Sequence, residues 1–280
     1  MLKTRVLTAL ILAPIAVIGI FLLPPLGFAI FTGVAITLGA WEWANMAGIS
    51  NGVFRIAYAT LVAVALAVVY GLPTLPMLWL ALIWWVIALQ MIRLYPKATG
   101  LWCSPVARAI MGLLVLVPAW VGLNHLRTGT LQFGEQENGL LAILYVFFAV
   151  WVADIGAYFA GKAFGTTKLA PRVSPGKSWA GVWGGMAAVA LLAVATGLLA
   201  GVGFADILLL LIASVVVAAF SVVGDLLESM LKRFRGIKDS SQLLPGHGGI
   251  MDRIDSLTAA IPLFALIITL MGWLSAGVAL

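Results

Sequence analysis

The stretch Ile207-Leu-Leu-Leu-Leu-Ile-Ala-Ser-Val-Val-Val-Ala-Ala-Phe-Ser-Val-Val-Gly224 contains no charged residue. A helix of about 20 predominantly apolar residues is long enough to cross the hydrocarbon core of a bilayer. The whole chain has this character, because 63% of its 280 residues are hydrophobic, 9% are charged and the mean hydropathy is +1.14. Soluble proteins carry about 25% charged residues. The composition therefore predicts an all-α polytopic membrane protein and excludes a secreted domain, a cytosolic enzyme and a disordered chain.

Nine apolar runs between charged or Pro/Gly-marked breaks predict nine transmembrane helices. The first two, Val6–Leu23 and Leu26–Ala44, are separated by Pro24-Pro25 and could instead form one long broken helix. The others are, in chain order, Ile56–Gly71, Leu75–Ile92, Ala109–Leu123, Leu140–Phe159, Gly181–Leu199, Ile207–Gly224 and Leu257–Val278. The first run follows Lys3 and Arg5 in the manner of a signal peptide. It lacks a small-residue cleavage site before a polar start, so we expect a retained anchor.

The basic residues predict the orientation of the chain. With the amino terminus in the cytoplasm, fifteen of the sixteen Lys and Arg residues fall on that side, and Arg127 alone falls on the other. Cytoplasmic loops of membrane proteins carry an excess of Lys and Arg. We therefore predict a cytoplasmic N-terminus and an outside C-terminus in a bacterial cytoplasmic (inner) membrane. This topology and the neighbouring anionic membrane lipids account for the formal +6 charge, so no nucleic-acid partner is predicted.

The polar residues divide the chain into two regions. Residues 1–125 hold the five N-terminal helices, and residues 126–280 form a catalytic region with the last four helices and two polar cytoplasmic loops, 161–178 and 225–256. A transporter would place polar groups near the bilayer midplane within two repeated halves. Because this chain shows no such repeat and its polar groups cluster at one membrane face, we favour an enzyme over a transporter or flippase.

Four carboxylates lie in the second loop. Asp225 and Glu228 are three residues apart on the helix leaving the eighth span, so they share a face. Asp252 and Asp255 repeat this spacing on the helix entering the ninth span. Such acids repel one another unless a positive group lies between them, and Mg²⁺ commonly binds one or two carboxylates together with substrate phosphates. The spacing therefore predicts a site for a hard divalent cation.

Basic residues and a glycine-rich turn accompany these acids. Phosphate oxygens could be bound by four side chains, those of Lys232, Arg233, Lys238 and Arg253. The turn Pro245-Gly246-His247-Gly248-Gly249 precedes a helix start, where backbone N–H groups suit an anion. Together these features favour phosphoryl or nucleotidyl transfer assisted by a metal. The same charges could belong to a solvated amphipathic helix, and His247 could be an ordinary turn residue.

Three more polar residues lie near predicted span ends. Asp154 is about five residues, or roughly 8 Å, inside the sixth span. A buried acid there costs on the order of 2.5–3.5 kcal/mol and marks a function or a pairing, so we expect it to face a polar cavity. Lys177 could meet a phosphate at a turn or be a plain topological charge. Glu42, between two tryptophans at the end of the second span, is interpreted as an interface residue of an aromatic belt.

Three motifs carry a family resemblance. The longest is an ungapped stretch of 27 positions, Ser229-x-x-Lys232-Arg233-x4-Lys238-Asp239-x-Ser241-x-x-Leu244-Pro245-x-His247-Gly248-Gly249-Ile250-x-Asp252-Arg253-Ile254-Asp255. The other two are Asp154-x-x-Ala157-Tyr158-x-x-Gly161-x-x-Phe164-Gly165 and Ser174-Pro175-Gly176-Lys177-Ser178-Trp179. All three resemble the phosphatidate cytidylyltransferases, the CDP-diacylglycerol synthases. Many members have Lys where Gly176 stands, so a phosphate role at that position is not carried over, whereas Lys177 is.

The resemblance implies a definite reaction of phospholipid biosynthesis. Phosphatidic acid would attack the α-phosphorus of CTP and give CDP-diacylglycerol and pyrophosphate. The family is expected to need Mg²⁺, with K⁺ as a candidate second cation, and to form a homodimer. The acids expected to hold metal are Asp225, Asp252 and Glu228, with Asp255 in support.

Substrate contacts are likewise implied by motif position. The expected phosphate contacts are Lys232, Arg233, Lys238 and Arg253. The other residues expected at the substrate are Asp154, Ser174, Lys177, Asp239, His247, Gly248 and Gly249. A cytidylyltransferase acting on another lipid phosphate, such as a polyprenyl one, remains an alternative. A CDP-alcohol phosphotransferase is disfavoured because the chain lacks an Asp-Gly pair followed by suitably spaced acids.

Overall fold

The structure is a computed structural model that describes the backbone of residues 2–275 and the side chains in that range except those of residues 2–7, 9, 12 and 13. The described chain contains nine long helices, α1 (Leu2–Phe21), α2 (Pro25–Met46), α3 (Gly52–Val69), α4 (Thr74–Leu94), α5 (Pro105–Thr128), α6 (Gly139–Phe164), α7 (Trp179–Leu199), α8 (Phe204–Arg235) and α9 (Met251–Leu270). Among the described residues, α2 to α9 are long and apolar enough to cross a membrane. The protein is thus an all-α polytopic membrane protein, as predicted.

The two proline residues separate α1 from α2. The first helix ends at Phe21, and Pro24 and Pro25 occupy the N-cap and first helical position of α2. Proline is tolerated there because the first N–H groups of a helix have no intrahelical partner. Helical structure is therefore interrupted at residues 22–24, and a single continuous helix is excluded. The side chains of Lys3 and Arg5, the basic residues before the first predicted span, lie outside the described part of the structure. So do the last three positions of the ninth predicted span, 276–278.

Three helices extend further toward the polar loops than predicted. The eighth helix continues to Arg235, eleven residues past the predicted end of the span, and stops at Gly236, whose φ of 78° suits a glycine C-cap. The ninth begins at Met251, so the polar loop 225–256 shrinks to residues 236–250. The sixth continues to Phe164, which places Asp154 ten residues, not five, before its end. Hydropathy missed these extensions because their outer turns carry polar side chains.

Short antiparallel strands, which hydropathy did not predict, lie at both ends of α6. One sheet has the order β2-β1-β5 and contains β1 (Thr130–Phe133), β2 (Gln136–Asn138) and β5 (Leu274–Ser275). The other is a hairpin of β3 (Lys168–Ala170) and β4 (Ser174–Ser178). Because α6 begins after β2 and ends before β3, the two sheets lie at opposite ends of this helix. The hairpin leads directly into α7 and carries Lys177.

Close helix packing holds the polar segments that follow α6 and α8 near each other. A Cβ added to Gly156 of α6 would lie 2.7 Å from the carbonyl oxygen of Gly184 on α7, so these helices approach more closely than larger residues permit. Large side chains fill the space between the other helices, and Trp43, Trp85 and Met230 are fully buried. The chain segments after α6 and α8 are thereby held side by side.

Candidate active site

Lys232 connects α8 to α9 through two buried ion pairs. Its Nζ lies 2.6 Å from Oε2 of Glu228, one turn earlier on α8, and 2.7 Å from Oδ1 of Asp252 on α9. No side chain of the three is more than 10% exposed. Charges at this depth are tolerated only when they are paired. The positive group expected between the carboxylates is thus supplied by the protein, and the Lys232 ammonium faces acids in this structure.

Asp252 is held by the polypeptide at both carboxylate oxygens. Oδ1 accepts a hydrogen bond from the Lys232 ammonium group. Oδ2 accepts hydrogen bonds from Ser240 N at 3.0 Å, Ser240 Oγ at 2.9 Å and Gly249 N at 2.8 Å. Gly248 has φ +81°, and a Cβ there would lie 2.6 Å from Oδ2 of Asp252. The glycine pair before α9 is therefore explained by the close approach of this carboxylate to the backbone.

Glu42 lies in the same network, although it is far away in sequence. Its side chain is fully buried and accepts hydrogen bonds from the hydroxyl of Ser241 and from the backbone N–H groups of Ile250 and Met251. It also shares the single hydroxyl proton of Ser240 with Asp252. Its interpretation as an aromatic-belt residue is wrong, because its carboxylate binds the polar loop instead of facing an interface. The available signal was an acid in an otherwise uncharged span, the same signal that marked Asp154.

A second group of charges lines a cavity between α6, α7 and α8. Nζ of Lys177 on β4 lies 2.6 Å from Oδ2 of Asp225, and both side chains are 28% exposed. The cavity has a volume of about 460 Å³, and Asp154, Tyr158 and Lys162 also line it. Asp154 thus has the polar surroundings expected for it. This volume lies within the range of about 300–1,000 Å³ that is typical of small-molecule sites.

Asp255 links the cavity charges to the Lys232 pairs. Its carboxylate is close enough to Asp225 and to Glu228 for their charges to interact, and it accepts a 2.7 Å hydrogen bond from the backbone N–H of Ser256. Oε1 of Glu228 is buried and receives no N–H or O–H donor among the described residues, although the Glu228 side chain lies within hydrogen-bonding reach of Asp255. An unsatisfied buried oxygen of this kind is costly unless a ligand satisfies it.

The oxygen donors fit a cation that also binds substrate. Within the described part of the chain, no three His, Cys, Asp or Glu side chains form a complete metal-binding group. Mg²⁺ needs fewer, since it often binds one or two carboxylates and completes its shell with water and phosphate. Asp255 and Oε1 of Glu228 are such donors, whereas both oxygens of Asp225 and both oxygens of Asp252 already have protein partners that a cation would have to displace. The metal roles of Asp225, Asp252 and Glu228 stay predictions.

The remaining predicted residues lie around this core. Arg253 donates two hydrogen bonds to the carbonyl oxygen of His247, and Arg233 donates one to Val173 O. Lys238 and Asp239 are exposed on the loop, and Ser174 pairs with Ala170 in the hairpin. The structure therefore brings Asp154, Lys177 and Asp225 together at the cavity. It brings Asp252, Gly248 and Gly249 together at the start of α9.

Comparison with known proteins identifies the class. Residues 3–271 match the model of the cytidylyltransferase family, so the chain belongs to that family, and the resemblance seen in its motifs is confirmed.

Individual relatives are similar along the whole chain or along half of it. A Pseudomonas aeruginosa protein named phosphatidate cytidylyltransferase is 53% identical over 275 residues, which cover 98% of this chain and 99% of that protein. A Haemophilus influenzae protein of the same name is 41% identical and covers 95% of this chain and 98% of its own length. A third, from Brucella suis, is 46% identical over 52% of this chain and 53% of its own.

Proposed function

We propose that the protein is a phosphatidate cytidylyltransferase, which transfers a cytidylyl group from CTP to phosphatidic acid in phospholipid biosynthesis. The observation that carries this proposal is the 53% identity, along 98% of the chain, to a protein of that name. The cavity and its charges agree with the chemistry, because a lipid phosphate and a nucleoside triphosphate both need cationic partners. An integral membrane protein is also the form that such an enzyme requires, since one substrate stays in the bilayer.

The reaction needs positioning and charge neutralisation more than proton transfer. An oxygen of the lipid phosphate attacks the α-phosphorus of CTP, a new P–O bond forms, and the bond to the β-phosphate breaks with its electron pair leaving on pyrophosphate. The attacking phosphate is already ionised at neutral pH, so no strong general base is required. The barrier arises from bringing two polyanions together and from charge on the leaving group, and fixed cations lower both.

The cavity residues have roles that follow from their positions. Lys177 and Lys162 face the cavity and would bind phosphate oxygens, and Val182 and Met186 line its apolar part, where the glycerol end of the lipid would lie. One or two of the acids Asp225, Asp255 and Glu228 would hold Mg²⁺, which when bound would neutralise charge on the triphosphate and the leaving pyrophosphate. K⁺ is our candidate for a second cation at these acids.

We further propose a homodimer in the bacterial cytoplasmic membrane with the site facing the cytoplasm. The distribution of Lys and Arg among the loops supports this orientation. It also meets the need of the substrates, because CTP is water-soluble and cytoplasmic whereas the acyl chains remain in the bilayer. The named relatives are bacterial proteins.

The test is an assay of the full-length protein purified in detergent with CTP, Mg²⁺ and phosphatidic acid. We expect equal amounts of CDP-diacylglycerol and pyrophosphate, and no product in EDTA. A folded sample that is inactive with phosphatidic acid overturns the proposal. Turnover with a polyprenyl phosphate instead would indicate another lipid cytidylyltransferase, and substrate flux in proteoliposomes without chemistry would indicate a transporter.

A further inference from the structure

The ninth helix begins without a capping side chain of its own. Its N-cap residue is Ile250, which offers no side-chain acceptor to the first N–H groups of the helix. The N–H groups at a helix start lack intrahelical partners and normally need an acceptor. Here Glu42 of α2 supplies it, with Oε1 at 3.0 Å from Ile250 N and Oε2 at 2.8 Å from Met251 N. A carboxylate at this position also interacts favourably with the helix dipole.

The same carboxylate is connected to Asp252 through one serine. Ser240 is fully buried, and its hydroxyl lies 3.2 Å from Oε2 of Glu42 and 2.9 Å from Oδ2 of Asp252. Its backbone N–H donates to Asp252 as well, at 3.0 Å. Ser241 adds a 2.6 Å hydrogen bond to Oε1 of Glu42. The loop before α9 is therefore fastened to α2 on one side and to the Asp252 carboxylate on the other.

Steric fit shows that the loop is built around this carboxylate. A Cβ added to Gly249 would collide with the hydroxyl of Ser240 and with both carboxylate oxygens of Glu42. Gly249 is itself buried and uses its N–H to bind Asp252. The space that a side chain would need at Gly249 is thus occupied by Glu42. Moving the Glu42 carboxylate would release the loop segment that holds Asp252.

We propose that Glu42 is a positioning residue for nucleotidyl transfer, acting through Ser240 and the start of α9 to hold Asp252 against Lys232. This inference rests on the proposed function and goes beyond it, because Glu42 lies on α2, outside all three sequence motifs. Glu42 contacts the loop, not the cavity, so its effect reaches the reacting groups only through Asp252. A displacement of about 1 Å at a reacting group can cost about a hundredfold in rate.

The test compares Glu42→Gln and Ser240→Ala with a matched control, Thr269→Val. Thr269 also makes a polar contact on α9, a partly buried 3.0 Å hydrogen bond to His125, but on the last turn of the helix, far from Asp252 in sequence. Glutamine keeps the size of Glu42 but offers one acceptor oxygen where two are needed. Steady-state kinetics per folded molecule would be measured in detergent, together with amide hydrogen exchange in residues 239–251.

For Glu42→Gln we expect kcat and kcat/KM to fall together by about tenfold or more, because the lost interaction acts in the transition state. Amide exchange should accelerate in residues 239–251 and stay unchanged in α3. Adding Ser240→Ala should cause little further loss, since both residues act through one chain of contacts. Thr269→Val should lower thermal stability but leave kcat per folded molecule unchanged.

Two results overturn the inference. One is a Glu42→Gln protein whose kcat per folded molecule equals that of the wild type, which would assign Glu42 a purely structural role like that of Thr269. The other is a loss of kcat without faster exchange in the loop, which would mean that Glu42 does not act through that segment. If the wild-type protein is inactive with CTP and phosphatidic acid, the proposed function fails separately. Exchange in residues 239–251 then still decides whether Glu42 orders the segment.

Discussion

Nζ of Lys177 lies 2.6 Å from Oδ2 of Asp225, and both residues line the cavity. Lys177 comes from the hairpin after α6 and Asp225 from α8, so the pair joins the two polar loops that the sequence predicts, 161–178 and 225–256. Both side chains remain partly exposed, and an exposed ion pair contributes little to stability. We therefore expect its importance to lie in substrate binding, where a phosphate competes with Asp225 for the ammonium group.

The first prediction concerns Lys177→Ala. We expect a higher apparent KM for CTP or phosphatidic acid and a smaller change in kcat, because a single cation at the cavity wall acts as a contact. Lys168→Ala is the matched control, since Lys168 lies in the same hairpin but is exposed and does not line the cavity. Initial rates at varied concentrations of each substrate provide the test. Unchanged KM values for both substrates would contradict this role.

The second prediction concerns Asp252→Asn. We expect the variant to fold and insert into the membrane but to be inactive. We also expect it to lose more stability than a variant in which an exposed acid is replaced by its amide. Asparagine cannot accept all four hydrogen bonds that reach Asp252, and the amide would face at least one donor. An unsatisfied buried donor costs about 1–3 kcal/mol. Turnover and thermal unfolding in detergent would be compared with Glu135→Gln, an exposed acid in the turn between β1 and β2. Wild-type turnover would show that transfer does not need the Asp252 carboxylate or its ion pair with Lys232.

The third prediction concerns the buried ion pairs. Lys232→Met leaves the carboxylates of Glu228 and Asp252 without their cation, so we expect a destabilisation of about 3–5 kcal/mol. Adding Glu228→Gln should recover part of this loss, because one uncompensated charge is removed. Thermal unfolding of the single and double variants measures both effects. A double variant less stable than Lys232→Met would show that Glu228 is stabilised by something other than Lys232.

The fourth prediction concerns the metal. EDTA should abolish turnover, and added Mg²⁺ should restore it. Asp225→Asn should raise the half-saturating Mg²⁺ concentration by about tenfold or more, as is typical when a group supporting a metal is removed. The Mg²⁺ dependence of initial rates at saturating CTP would be compared with that of Glu137→Gln, which replaces an exposed acid in β2. An unaltered Mg²⁺ dependence in Asp225→Asn would exclude Asp225 from the metal site.

The fifth prediction concerns the glycine before α9. Gly248→Ala should destabilise the protein by about 1–3 kcal/mol, because positive φ is strained for alanine. Its Cβ would also press on Asp252, so turnover per folded molecule should fall as well. Gly100→Ala is the control, since a Cβ there meets nothing within 4 Å and its φ is not positive. Equal melting temperatures and rates for the two variants would contradict this account of the turn.

Sequence patterns predicted the helices far better than their contacts. Eight of the predicted spans coincide with helices that can cross a membrane, because hydropathy is a sum over neighbouring residues. Hydropathy placed the end of the eighth span at Gly224, whereas α8 continues to Arg235. The last three turns carry polar side chains, and the contacts of Lys232 that stabilise them do not contribute to hydropathy. The acids and bases of the long motif were found because they lie within 27 consecutive positions.

The sequence by itself determined the class of protein, the positions of eight helices that can cross a membrane and the cluster of charged residues that identifies the family. Each of these depends on composition or on residues close together in the chain. Only the tertiary structure decided which charges meet. It joined Lys177 to Asp225 and brought Glu42 to Ser240 across 198 residues. Such pairings depend on how whole helices pack, and helix packing is set by the shapes of many side chains at once, which no local pattern contains.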